Sequence, residues 1–163
     1  KGVIDFDGDD ALWQTDNAKS MYNDAAQFSM FAVSRYSGTD SERMIASADN
    51  WDWRLAGDSQ KANRVASLNG WVHPIDNSYP DDNNDWHLYQ VTIDNQDRAN
   101  VWFDANQIAS QHRGAHDSEY RPKRMQFNGW YNAVNTTWNR NRSQCQSAEL
   151  IAINRVVPET ERL

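Results

Sequence analysis

Residues 85–110, DWHLYQVTIDNQDRANVWFDANQIAS, decide the fold of this chain. From His87 to Ile93, His, Tyr, Val and Ile alternate with Leu, Gln and Thr, which is the two-residue period of a strand with one wetter face. Residues 94–97 are turn formers, and residues 100–103 alternate again. Asp104-Ala105-Asn106 then predicts a tight hairpin with Asn106 in the left-handed conformation, followed by a third strand at 107–110. The stretch therefore predicts an antiparallel meander of three strands.

The rest of the chain continues this pattern of short apolar or alternating runs separated by turn residues. Further strands are predicted at 3–6, 11–13, 28–34, 44–46, 51–56, 65–68, 71–72, 125–127 and 148–153. Polar stretches at 15–27, 73–85, 111–123 and 130–146 are predicted loops, and Pro158 with Glu159 suits a brief terminal helical turn. Many short strands at close intervals predict an all-β fold, an antiparallel β-sandwich of the jelly-roll type.

Three stretches together resemble the laminin-G-like, concanavalin-A-like lectin and glucanase superfamily. Trp86-His87 opens a strand, Phe103-Asp104 closes the next, and Ile-Ala-Ser follows at 108–110. Residues 4–12, IDFDGDDAL, resemble the opening strand and turn of that superfamily, and residues 148–157, AELIAINRVV, resemble its closing strand. The usual Asp-Gly hairpin turn is Asp104-Ala105 here. The resemblance implies a concanavalin-A-like sandwich that serves as a module of a larger protein.

Length and charge restrict the classes of function. With 163 residues the chain is expected to form a single domain with a sizeable core. A net charge of -7, with the acids scattered, argues against nucleic acid as a partner, because phosphate binding needs a basic footprint. No apolar run reaches the length of a membrane helix, so no membrane insertion is expected. Cys145 is the single cysteine and cannot form an internal disulfide.

Catalytic signatures are weak. Glucanases with this sandwich need paired carboxylates on one strand face, and Glu149 has no partner acid at the required spacing. His87 and Tyr89 lie on one strand face, as lyase chemistry requires, but the surrounding lyase signatures are missing, so we interpret them as a strand His with Tyr packed beside it. The chain is therefore predicted not to be an enzyme, with a polysaccharide-degrading enzyme as the most distant alternative.

A calcium site is the expected metal site. The acidic loop that leads into the Trp86-His87 strand offers carboxylate oxygens, which calcium prefers. Its candidate ligands are Asp76, Asp81, Asp82 and Asp85. The resembled superfamily often binds calcium at the rim of the sandwich, but a solvated acidic loop without metal is an equal alternative.

Sugar binding requires flat aromatic rings with amides, carboxylates or guanidinium groups nearby. The candidate ligand-binding residues are Trp51, Trp53, Arg54, Trp71, Trp130, Tyr131, Trp138 and Arg140. Core packing is the alternative role of these aromatic residues. It is the stronger interpretation for Trp86 and Trp102 in the meander, and the weaker one for Trp130, Tyr131 and Trp138, whose neighbours are polar.

The sequence thus predicts a non-catalytic carbohydrate-recognition module that binds a polysaccharide or glycoconjugate, with calcium as a candidate cofactor. A protein-binding adhesion or assembly module, with a protein receptor as partner, is the second hypothesis. The parent protein is expected to be secreted, at a cell surface or in a viral particle.

Overall fold

A computed structural model describes residues 2–8, 10–13, 27–37, 44–48, 51–54, 66–68, 71–72, 75, 84–96, 98–112, 126–128, 130–132, 137–140 and 143–162. These residues form fourteen strands and one helical turn. The elements are β1 (Ile4–Asp7), β2 (Leu12–Trp13), β3 (Phe28–Tyr36), β4 (Met44–Ala48), β5 (Trp51–Arg54), β6 (Ala66–Leu68), β7 (Trp71–Val72), β8 (His87–Ile93), β9 (Arg98–Phe103), β10 (Asn106–His112), β11 (Gln126–Phe127), β12 (Trp130–Asn132), β13 (Thr137–Arg140), β14 (Gln144–Ile153) and α1 (Glu159–Arg162).

Twelve of these strands form two six-stranded sheets. Sheet A has the order β1-β14-β3-β8-β9-β10, and sheet B has the order β2-β11-β4-β5-β6-β7. β12 and β13 form a separate two-stranded ribbon. Neighbouring strands pair antiparallel throughout. The all-β antiparallel sandwich predicted from the sequence is confirmed, and its central meander is β8-β9-β10.

Alternation along the strands of sheet A determines which face points to the core. Met30 in β3 pairs with Val91 in β8, which pairs with Val101 in β9, and all three side chains are buried. Sheet B contributes Ile45, Trp53 and Val72 to the same core. The two sheets therefore pack face to face over one apolar layer.

The β9–β10 hairpin differs from the prediction at one residue. The left-handed residue is Asp104, with φ 52°, and Asn106 begins β10. The Asp104 carboxylate accepts hydrogen bonds from the backbone N–H of Leu88 and from Nδ1 of His87, both at 2.9 Å, and its own N–H donates to the Leu88 carbonyl at 2.7 Å. These contacts with β8 hold Asp104 in the turn, so the expectation for Asn106 was wrong.

The C-terminal segment packs on the outward face of sheet A. Ser29 Oγ donates to the Arg155 carbonyl and accepts from the Val157 N–H, both at 2.8 Å. The Arg162 guanidinium lies 3.7 Å from the Trp102 ring centre, a cation–π contact. In α1, the hydrogen bond from Arg155 lowers the pKa of the Glu161 carboxyl. Part of this outward face is therefore covered by the chain itself.

Cys145 is buried in the interior of the sandwich. Burial and, secondarily, the charge of Asp5 raise the pKa of its thiol from 9.0 to about 12. The thiol loses its proton at a lower pH in the unfolded chain than in the native protein. Its contribution to the free energy of unfolding is therefore fully present below about pH 9 and is lost as the pH rises toward about 12.

We expect Cys145 to be inert in the native protein, because the thiolate is the reactive form and the thiol is shielded. A thiol-specific chromogenic disulfide reagent at neutral pH should give no colour with native protein and one equivalent after addition of denaturant. Rapid labelling of native protein, with the far-ultraviolet circular dichroism unchanged, would contradict this expectation.

Candidate functional site

The predicted binding residues belong to strands of sheet B and to the ribbon. Trp51, Trp53 and Arg54 lie in β5, Trp71 lies in β7, and the other four lie in the ribbon. β5 and β7 belong to sheet B, and β12 runs beside β4 of the same sheet, with Cα atoms within 8 Å. Residues from three separated parts of the sequence are thus brought to sheet B and its ribbon.

Trp53 is a core residue. Its side chain is 0% exposed and belongs to the apolar cluster between the sheets. A ring with no accessible face cannot stack on a sugar, so the prediction of Trp53 as a binding residue is corrected. The alternation along β5 explains the difference, because neighbouring residues of a strand belong to opposite faces and Trp53 lies on the face that meets sheet A.

The ribbon corrects a second expectation. Residues 130–146, predicted to be one long loop, contain β12, β13 and the first residues of β14. Trp130 pairs with Arg140, and Asn132 pairs with Thr137. A polar two-stranded ribbon lacks the apolar alternation of a half-buried strand, which is why its sequence resembles a loop. The candidate residues Trp130, Tyr131, Trp138 and Arg140 therefore share one regular element.

Register across sheet B defines two neighbouring rows. The first row is Leu12, Phe127, Ala46, Trp53, Ala66 and Val72. It is entirely apolar, and its buried members Trp53 and Val72 belong to the core. The second row, which we call the transverse row, is Trp13, Gln126, Ser47, Asp52, Ser67 and Trp71. Because adjacent positions alternate between faces, the transverse row belongs to the face of sheet B away from the core.

Gln126 is the unusual member of the transverse row. Its side chain is 0% exposed, although it belongs to the face away from the core. Neither the carbonyl nor the amino group of its amide has a hydrogen-bond partner within the described part of the chain. Buried polar groups are nearly always satisfied, so an amide with both ends unused requires an explanation. Sequence reasoning missed Gln126, because the pairing of β11 with β2 and β4 is not visible in a local pattern.

The turn at Asn128 positions the ribbon relative to β11. Asn128 has φ 57° and is buried. Its amide donates to the carbonyls of Asp10 at 3.0 Å and Ser143 at 2.8 Å, and accepts from the Ser143 N–H at 2.9 Å. Its backbone N–H donates to the Ile45 carbonyl at 3.1 Å. The Asn128 side chain thus joins the turn to the residue before β14 and to the segment before β2, and the Asn128 backbone joins it to β4.

The candidate calcium ligands are only partly within the described residues. Asp76, Asp81 and Asp82 lie outside them, and Asp85 is exposed. Within the described ranges, no three His, Cys, Asp or Glu side chains are grouped to hold a metal ion. The calcium site stays a prediction.

His87, Tyr89 and Glu149 were considered for catalysis, and their contacts are those of residues that stabilise the fold. The His87 ring lies 4.4 Å from the Phe103 ring centre and 6.3 Å from that of Tyr89. Its Nδ1 is bound to Asp104, and Tyr89 is buried. Glu149 is exposed in β14 and pairs with Val33. These contacts agree with the interpretation of His87 and Tyr89 as packed strand residues.

Trp86 has the opposite environment from the one expected. It is 41% exposed, and the Arg35 guanidinium lies 5.5 Å from its ring centre. It immediately precedes β8, where the meander leaves the core, so the expectation of core packing was wrong for Trp86. Trp102 is half-buried beneath Arg162.

A cavity of about 140 Å³ lies between the two sheets near β1 and β2. Phe6, Tyr36 and Cys145 line it from sheet A, and Leu12 and Phe127 line it from sheet B. The Ser34 hydroxyl, also in the lining, donates to that of Ser147 at 3.0 Å. The lining is almost wholly apolar and offers few groups that could orient a polar ligand.

The two sheets define an antiparallel β-sandwich. No protein-family model and no curated protein sequence matches the chain. Solved structures do match its fold. Within the described residues, no helix has the length and apolar character needed to cross a membrane.

The chain is similar to the CBM40 of an IT-sialidase from Ruminococcus gnavus, solved with α2,3-sialyllactose bound. The TM-score is 0.61 at 10% identity, over 99% of this chain and 94% of that one. It is also similar to botulinum neurotoxin type C, which depends on interaction with two ganglioside molecules to enter cells (TM-score 0.58, 12% identity, 93% of this chain and 38% of that one). For the botulinum neurotoxin D/C binding domain, the TM-score is 0.57 at 14% identity, over 93% of this chain and 39% of that one. The chain spans about two fifths of the length of these toxin structures.

Proposed function

We propose that this chain is a non-catalytic carbohydrate-recognition module that binds a polysaccharide or glycoconjugate. The observation that carries the proposal is that the predicted aromatic and basic residues other than the buried Trp53 belong to strands of sheet B and its ribbon. Aromatic rings supply flat apolar surface for sugar CH faces, and guanidinium and amide groups supply hydrogen bonds to hydroxyls.

The similar structures support the proposal to different degrees. The Ruminococcus gnavus CBM40 matches from end to end and carries a bound sialylated sugar, so the whole of this fold is compatible with glycan binding. The neurotoxins match over less than half of their chains, and their ganglioside contacts are not thereby assigned to the matching part. Membership of the laminin-G-like, concanavalin-A-like superfamily is part of the proposal and is supported by the strand motifs at 4–12, 86–110 and 148–157.

Replacing Trp138 by Ala tests the proposal. If the ribbon forms an exposed aromatic platform, the variant should lose binding to the glycans that the wild type recognises on a glycan array. Its melting temperature should change little, because a residue outside the core leaves no cavity. The array is read with and without a calcium chelator, which also tests the calcium prediction.

Trp86→Ala is the matched control, because Trp86 is exposed on sheet A, away from the ribbon. It should retain every array signal. A Trp138→Ala variant that unfolds would place Trp138 in the core. A wild type without any array signal would contradict the proposed function.

A protein-binding adhesion or assembly module is the second candidate, favoured by the exposed apolar side chains of sheet A. Trp86 is 41% exposed and Ile151 46% exposed. Leu88 and Phe31, which belong to the same outward face, are half-buried. For this function, a captured protein partner should be lost with Ile151→Asp and retained with Trp138→Ala.

The non-catalytic part of the proposal rests on the missing carboxylate pair and on the packing of His87. Reducing-end and unsaturated-product assays on soluble polysaccharides should detect no turnover by the wild type. Glycan recognition suits a secreted, cell-surface or viral parent protein, and that location belongs to the same proposal.

A further inference from the structure

We propose that the cavity between the two sheets at the β1–β2 end of the sandwich is a binding site for a small apolar molecule, about the size of a single benzene ring. The inference goes beyond the proposed function and does not depend on it. No local pattern in the sequence indicates this site, because its walls come from strands of both sheets.

The size of the cavity is the first argument. Its volume is about 140 Å³, whereas voids larger than a water molecule are few in protein interiors. The side chains around such a void lack partner atoms on one side, which lowers the stability of the unliganded protein. An apolar cavity of about 150 Å³ in another protein is large enough to bind benzene. A ligand of that size would restore the missing contacts.

The second argument is that the cavity reaches the surface. Ile4 and Leu12 both line it, and their side chains are 48% and 46% exposed. Ile4 lies in β1 and Leu12 in β2, which are the end strands of sheet A and sheet B. On the inner side the lining includes Phe6 and Tyr36, which are 4% and 2% exposed. A ligand therefore enters between the two sheet edges and reaches the apolar interior without separating the sheets.

The chemistry of the lining determines the class of ligand. The hydroxyls of Ser34 and Ser147 are hydrogen-bonded to each other at 3.0 Å, and the Asn128 amide is bound to backbone groups of two other residues. Most of the other lining side chains are aliphatic or aromatic, and the thiol of Cys145 is protonated at neutral pH because burial raises its pKa to about 12. A buried water needs about two to four polar partners, and the polar groups here are already paired. The lining therefore favours an apolar ligand over water, a sugar or an anion.

Filling the cavity tests the site. Leu150→Phe enlarges a side chain of the sheet A wall, and Leu12→Phe enlarges one at the mouth. Leu88→Phe is the matched control, because Leu88 is half-buried on the outward face of sheet A and does not line the cavity. Benzene is the test ligand, and phenol is its polar counterpart. Thermal unfolding is measured with and without each ligand, and the methyl resonances of the protein are followed by NMR.

We expect benzene to raise the melting temperature of the wild type, because it binds the native state only. The methyl resonances of Ile45, which lines the cavity, should shift, and those of Val91, a core residue outside the lining, should not. Leu150→Phe and Leu12→Phe should lose both responses, whereas Leu88→Phe should retain them. Phenol should raise the melting temperature less than benzene does, because its hydroxyl would be buried without a partner.

The contrary results are equally specific. A wild type whose melting temperature and Ile45 methyl resonances do not respond to benzene would show that the cavity is a packing defect, and the inference would be wrong. A benzene response that persists in both filled variants would place the site elsewhere and overturn the inference. If neither filled variant folds, the wild-type methyl shifts decide, and shifts confined to residues outside the lining reject the site. Stronger stabilisation by phenol than by benzene would overturn the assignment of an apolar ligand.

These measurements involve no glycan. A failure of this inference would therefore leave the proposed carbohydrate recognition standing, and an empty glycan array would leave this inference standing.

Discussion

Trp53→Ala should destabilise the protein by about 3–5 kcal/mol, the usual cost of truncating a buried tryptophan. Trp53 is 0% exposed and is among the largest fully buried side chains of the described residues. Its register partners in β4 and β6 are Ala46 and Ala66. Alanine at both positions offers no large side chain that could collapse into the cavity. The destabilisation by Trp53→Ala should therefore lie near the full value for a buried tryptophan. Urea unfolding followed by circular dichroism measures the change.

Trp53→Phe is the informative companion variant. The indole N–H of Trp53 is buried and has no hydrogen-bond partner in the described part of the chain. Phe retains much of the apolar volume and removes this donor, so its cost should be well below that of Ala. Glycan binding by Trp53→Phe should be retained. A Trp53→Ala variant that stays fully stable and loses glycan binding would restore Trp53 as a binding residue.

Asn128→Ala should destabilise the protein by about 3–4 kcal/mol. The estimate combines three lost side-chain hydrogen bonds at about 1 kcal/mol each with roughly 1 kcal/mol for alanine in the left-handed conformation. The bonds lost are those to the carbonyl of Asp10 and to both backbone polar groups of Ser143, and Ser143 is buried. The same variant should weaken glycan binding, because the turn at Asn128 sets the position of the ribbon beside β4.

Two controls separate the components of this effect. Asn128→Gly loses the same hydrogen bonds but tolerates φ 57°, so it should be about 1 kcal/mol more stable than Asn128→Ala. Asn95→Ala changes an exposed turn residue and should stay within about 0.5 kcal/mol of the wild type. Equal stability of Asn128→Ala and the wild type in urea unfolding would show that the Asn128 bonds do not anchor the turn.

The strands with a clear alternation could be predicted closely. β8 was predicted at His87–Ile93 and has those bounds in the structure, because its apolar face is buried and its register is strongly specified. The strand predicted at 125–127 also ends at Phe127 in the structure, before the left-handed Asn128. The ribbon at 130–140 could not be predicted, since its strands carry polar residues with no buried face to show a period.

The types of residue in the candidate site could be predicted from the sequence. Which individual tryptophans are buried could not. The abundance of tryptophan and the polar neighbours of Trp130 and Trp138 indicated sugar binding, and the structure places the predicted residues in sheet B and its ribbon. Which tryptophan is buried depends on the parity of its position in the strand and on which face meets the other sheet. Trp53 was misassigned for that reason, and Trp86 was misassigned because it precedes β8 and does not belong to the strand.

The sequence by itself determined the all-β class, the central meander and most strand positions, because a two-residue period is a local property of the chain. Only the tertiary structure decided the order of strands in each sheet, and with it the transverse row, since that order places β11 between β2 and β4, which lie far from it in the sequence. It also decided that the Gln126 amide is buried without a partner and that Asp104, rather than Asn106, occupies the left-handed turn position. Burial and hydrogen bonding depend on which distant strands are neighbours, and a local pattern does not contain that information.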